Sequence, residues 1–140
     1  MRKYTILAAF IASIITVSSC KYMSKEPSNE VNAANNEKLR TELKKAYPSL
    51  NQAYIGAAVI DFHDITVNLG DKELYNMSEA QQQEAAKNIA QIVYNIYDAN
   101  NYLDKGTLIL TESETEMPNA SMPSKTYDLH LAEIVKEHEK

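Results

Sequence analysis

The chain reads as one small α+β domain, and three observations predict it. A single long helical pattern occupies residues 78–98. Short runs rich in β-branched residues stand before it, at 53–62 and 65–69, and a third follows at 107–111. Strands on both sides of a helix allow a β-α-β unit, so the expected architecture is one main amphipathic helix packed on a small sheet.

Taken in order, residues 36–46 form a short helix ended before Pro48. Leu39 and Leu43 lie four apart on one face, while Glu37, Lys38, Arg40, Glu42 and Lys44 supply the wet side. Residues 53–62 are an apolar run. In 65–69, Ile65, Val67 and Leu69 alternate with Thr66 and Asn68, the period of a half-buried strand. His63 and Asp64 either close a tight hairpin or sit within one long bent strand over 54–69, and periodicity alone leaves both open.

Gly70-Asp71 marks a turn. Ser78 and Gln81 have the spacing of a capping box, in which the Ser78 hydroxyl accepts from the Gln81 backbone and the Gln81 side chain reaches back. Behind it, Ala86, Ile89, Val93 and Ile96 recur at three or four residues. Gln82, Gln83, Glu84, Lys87, Gln91 and Asn95 are assigned mostly to the opposite, solvent side. Asp104-Lys105-Gly106 forms a turn before the strand 107–111, whose pairing with an earlier strand is parallel if the crossover closes beside it. Residues 112–124 are an acidic, polar loop with Pro118 and Pro123. Tyr127, Leu129 and Leu131 alternate with Asp128 and His130 as a last strand, and 132–140 form a charged tail, frayed or turned as a short helix.

The N-terminus carries a different kind of information. Arg2 and Lys3 precede an apolar run of about fourteen residues, against the roughly twenty that span a membrane. The run closes on Val17-Ser18-Ser19-Cys20, which resembles the lipobox of bacterial lipoproteins. That resemblance implies a signal peptide over 1–19, cleaved before Cys20, a diacylglycerol on the Cys20 sulfur and usually a third acyl chain on the new amino group. Two such chains anchor stably, since each buried CH₂ contributes about 0.8 kcal/mol. Lys21 follows the cysteine where Asp favours inner-membrane retention, so outer-membrane placement is expected, with the domain on the periplasmic face. Cys20 is the only cysteine, and its lipidation leaves no thiol for disulfide, redox or thiolate-metal chemistry.

Residues 20–36 then make the lipidated cysteine and a polar tether, too poor in apolar surface to repay ordering, with a root-mean-square span of roughly 20–25 Å. The domain proper is expected over 37–131. Net charge is −5 over 140 residues, and loss of Arg2 and Lys3 leaves 12 basic side chains against 19 acidic ones, or −7. An acidic domain is a poor binder of nucleic acid, which relies on clustered Lys and Arg.

Candidate chemistry is sparse. Asp61 and His63 share one face if extended, a spacing that suits nitrogen and oxygen metal ligands, though a site needs three or four and a polar turn is the alternative. Glu112, Glu114 and Glu116 place three carboxylates on one edge if extended, suited either to a hard cation or to discouraging edge pairing. His130, Glu133, Glu137 and His138 converge if the tail is helical. Tyr94 and Tyr102, beside the core position Tyr97, form an aromatic rim suited to an interface, with simple packing as the alternative. Three isolated glycines exclude a glycine-rich phosphate loop, and no G-x-S-x-G elbow is present. The residues imply no cofactor.

Two functions follow as expectations. The first is a non-catalytic interaction or assembly module held at the membrane by lipid, with another envelope protein as partner. The second is a small-ligand or metal-binding enzyme or carrier using Asp61, His63 and Glu112.

Overall fold

The computed structural model describes residues 28–60, 63–97, 103–117, 119 and 121–138. Cys20 and its lipobox, Asp61 and Tyr102 lie outside them. The elements run α1 (Asn29–Ala46), a 3₁₀ turn (Pro48–Asn51), β1 (Tyr54–Ile60), β2 (Asp64–Gly70), α2 (Lys72–Asn76), α3 (Glu79–Tyr97), β3 (Lys105–Thr111), β4 (Ser124–Asp128) and α4 (Leu131–His138). The four strands form one mixed sheet in the order β1-β2-β3-β4. The expected α+β class holds.

β1 and β2 pair antiparallel with Ile55 opposite Leu69 and Ala57 opposite Val67, so the 54–69 region is a hairpin. β2 and β3 pair parallel, Val67 beside Leu108 and Leu69 beside Leu110, which makes β2-α2-α3-β3 the β-α-β unit. β4 returns antiparallel to β3. One face of the sheet carries Ile55, Ile65, Val67, Leu69, Leu108 and Leu110, all buried in a single core with Leu39 and Leu43 of α1 and Ile89 and Val93 of α3. Each such side chain contributes about 1.5–3 kcal/mol by leaving water. The opposite face presents Tyr54, Gly56, Thr66, Asn68, Thr107, Ile109 and Thr126, none of them fully buried. The molecule is thus two layers, helices over one face of the sheet.

α3 starts as its capping box requires: the Gln81 backbone N–H donates to Ser78 Oγ (3.3 Å) and the Ser78 N–H to Gln81 Oε1 (3.1 Å). Its buried stripe is Gln82, Ala85, Ala86, Ile89, Ala90, Val93 and Tyr97. Gln82 therefore belongs to the core side, contrary to its expected place among the solvent-facing residues. It stands three and four residues before Ala85 and Ala86 and extends their row.

α1 begins at Asn29, not near 36, and takes in the second half of the segment expected to be a tether. Ser28 caps it, its hydroxyl accepting from the Val31 N–H (3.3 Å). The added turns are held by asparagines that continue the row of Leu39 and Leu43 at helical spacing. Asn35 is buried, and Asn36 Oδ1 accepts from the Tyr97 hydroxyl at 2.5 Å. Polarity alone suggested disorder, but Asn36 finds a partner in Tyr97, while Asn32 Oδ1 is buried without one.

The C-terminus differs too. β4 ends at Asp128, and the Asp128 carboxylate accepts from the His130 N–H (2.7 Å) while His130 takes φ 47°. This turn sends the chain into α4, so Leu129 and Leu131 are both buried without being strand residues. The expected charged tail over 132–140 is helical as far as His138, with Ile134 packed on the core.

Gly70 ends β2 where the chain after β3 crosses it. A Cβ at that position would lie 2.0 Å from the Ser113 carbonyl oxygen, so the crossing needs glycine.

Candidate functional site

Polar side chains gather where α2, α3 and β4 meet, because the β-α-β crossover brings the end of α2 beneath β4. Gln82, 1% exposed, donates from Nε2 to the Leu74 carbonyl (2.8 Å) and the Tyr75 carbonyl (2.7 Å). Its Oε1 accepts from the Tyr127 hydroxyl at 2.6 Å. Lys125 donates to the same Tyr75 carbonyl (2.6 Å) and lies over the Tyr75 ring, 4.6 Å from its centroid. Burial, with Glu79 adding to it, raises the Tyr127 phenol above its ordinary pKa. These residues close the helical termini of α2 and clamp β4 to it. The group is structural in character: every polar atom named has a hydrogen-bond partner within the cluster.

A second polar point is Asp71, 1% exposed, at the start of α2. Its carboxylate accepts from the Glu73 and Leu74 N–H groups and from the Ser49 hydroxyl. Three donors and the helix N-terminus satisfy the buried charge. Beside it, at the carboxyl end of β3, Thr111, Glu112, Ser113, Met122 and Pro123 line an open depression of about 300 Å³.

No protein family, curated protein or solved structure matches this chain.

Of the residues singled out in the sequence, His63 occupies the β1–β2 turn, half-exposed. Its carbonyl accepts from the Asp104 N–H (2.7 Å) and its Nδ1 stands 3.9 Å from the exposed Asp104 carboxylate. Glu112 takes a hydrogen bond from Asn76 (3.4 Å), while Glu114 and Glu116 stand exposed among bends. Glu112, Glu114 and Glu116 thus do not form the extended row that would have aligned them. His130 lies 3.5 Å from Glu133, both largely exposed. Among the described residues no three His, Cys, Asp or Glu side chains converge as a metal's ligands would. Tyr94, half-buried, stacks on His138 with centroids 4.7 Å apart and planes 9° from parallel, which ties α4 to α3.

Sequence reasoning missed Gln82, Lys125 and Asp71. The signal for Gln82 was its place on the apolar stripe, and for Asp71 its position just before a run ready to turn helical. Lys125 had no signal short of the β3–β4 register, which puts it on the covered face beside Leu110.

Proposed function

We propose that the protein is a lipid-anchored lipoprotein of the bacterial cell envelope whose folded part is a non-catalytic interaction or assembly module. The observation that carries the anchor is Val17-Ser18-Ser19-Cys20, behind a basic and apolar leader of signal-peptide proportions. Cys20 is the functional residue: its sulfur receives the diacylglycerol, and its freed amino group the third acyl chain. Lys21 supports the outer membrane, on the periplasmic side, as the place of residence.

The reading as an interaction module rests on how the domain spends its surface. Two of its buried polar side chains, Gln82 and Asp71, are held by internal hydrogen bonds and serve the fold, whereas Asn32 Oδ1 and Thr111 Oγ1 are buried without a hydrogen-bond partner. Among the described residues no helix covers the sheet face that carries Thr66, Asn68, Thr107 and Ile109, and a partly exposed sheet face of this kind suits contact with another protein. Among the described residues no helix is long and apolar enough to cross a membrane.

Cys20→Ser tests this directly. The substituted chain should lose incorporation of labelled fatty acid and leave the detergent-extracted membrane fraction. Undiminished labelling would overturn the anchor. For the module, pull-down from detergent-solubilised membranes should recover a partner in fixed stoichiometry, and recovery of the bare monomer in every preparation would overturn it.

A further inference from the structure

The two edges of the sheet are built differently. β4, at one edge, places Lys125 on the covered face and carries Asp128 at its end. An inward-pointing charge and a short strand are the usual means of stopping an edge from pairing with another chain. β1, at the other edge, is seven residues long and reads Tyr-Ile-Gly-Ala-Ala-Val-Ile, with no charge and no proline. It is the terminal strand of the sheet, and among the described residues no backbone hydrogen bond outside the β1–β2 ladder involves it. Its outward N–H and C=O groups are therefore presented as a pairing template.

We infer that β1 pairs antiparallel with β1 of a second copy of this chain, joining two four-stranded sheets into one of eight strands across a two-fold axis at Ala57. This deepens the reading of the domain as an interaction module, on which it rests, by naming the partner. An antiparallel two-fold between strands must pass through a residue paired with itself. Centring it on Ala57, the middle of β1, pairs all seven residues: Tyr54 with Ile60, Ile55 with Val59, Gly56 with Ala58, and Ala57 with its own copy. The ladder then closes roughly six to eight hydrogen bonds, depending on which alternate residues face outward.

Three features favour a second copy over an unrelated strand. The small residues Gly56 and Ala57 stand at the axis, where two copies of a large side chain would collide. β1 has no charge to meet its like across the axis, although the chain as a whole is acidic. The exposed Asp128 belongs to the β4 edge, with β2 and β3 between it and the joint. The Tyr54 ring already lies over Gly56 on the open face, 3.1 Å from where a Cβ would be, and covers the glycine without burdening the strand.

The test is disulfide trapping in the full chain. Cys20→Ser combined with Ala57→Cys leaves one thiol, placed opposite its own copy at a separation that antiparallel neighbours and disulfides share. Oxidation should give a covalent dimer. Thr126→Cys in the same background, on the guarded edge, should remain monomeric. Adding Gly56→Lys to the Ala57→Cys chain sets two ammonium groups near the axis and should cut dimer yield by about tenfold, with circular dichroism unchanged. Equal cross-linking through positions 57 and 126, or none through 57 in a folded chain, overturns the proposal. So does trapping of a different protein at position 57 in place of the copy. Because Cys20 is absent throughout, failure here leaves the anchor untouched, and failure of the fatty-acid labelling leaves the pairing untouched.

Discussion

Replacing Gln82 with methionine isolates the worth of the polar cluster under β4. The two side chains have nearly the same length and volume, so the change removes hydrogen bonds without leaving a cavity. Three bonds go: those to the Leu74 and Tyr75 carbonyls and the one from the Tyr127 hydroxyl. They are not equal losses. Leu74 O still accepts from the Met77 N–H (3.3 Å), and Tyr75 O still accepts from Lys125 (2.6 Å). The Tyr127 hydroxyl loses its partner in the cluster. At about 0.5 kcal/mol for each shared carbonyl and about 1–1.5 kcal/mol for the hydroxyl, the expected cost is about 2 kcal/mol. For a domain of this size that lowers Tm by about 8 °C. Urea denaturation followed by far-ultraviolet circular dichroism should show a lower midpoint with an unchanged slope. A cycle with Tyr127→Phe should return a coupling of about 1 kcal/mol between the two side chains. A Gln82→Met chain within about 0.5 kcal/mol of the parent, a change ordinary for a surface site, would refute the assignment of Gln82 to a satisfied buried network.

Two further outcomes follow from the same region and its neighbour. Gly70→Ala must displace the backbone at Ser113, because the added carbon meets that carbonyl oxygen, and should cost at least about 2 kcal/mol in the same denaturation assay. The Tyr127 phenol has its folded pKa raised above the ordinary value near 10, so its contribution is intact below that pH and is lost as pH rises through the higher folded value. The parent should therefore lose stability above about pH 10 more steeply than Tyr127→Phe, and parallel alkaline profiles would count against a raised phenol pKa.

How legible the fold was depended on whether a local pattern had to compete with a distant one. α3 was readable because its cap and its apolar stripe agree over nineteen residues. β2 and β3 were readable from alternation and β-branched content. The hairpin between β1 and β2 was undecided, since an apolar run does not show where it folds back. α1 was cut short because Asn32, Asn35 and Asn36 look like linker until Tyr97 is seen to donate to one of them, and those residues are sixty-one apart in sequence. The last strand was displaced for a related reason. Tyr127, Leu129 and Leu131 are buried alternately, but a left-handed residue at His130 turns the chain before Leu131, and no periodicity records that.

The candidate site was less legible than the fold. His63 and Glu112 could be named from composition, yet whether they approach other ligands is a tertiary fact. Gln82 and Lys125 are polar residues on buried faces, where pattern reading expects apolar ones, and only the packed structure supplies their partners.

The cap at Ser28 also sets a length. In a chain acylated at Cys20, eight Cα-to-Cα steps separate the anchor from the first helix, a contour of at most about 29 Å. That contour is a fixed maximum, and a helix starting at residue 36 would have doubled it. The domain would search a thin layer above the bilayer instead of a volume, and its effective concentration towards a neighbour in the same leaflet would rise accordingly. In such an acylated chain, where α1 begins would set how far from the membrane the domain could reach.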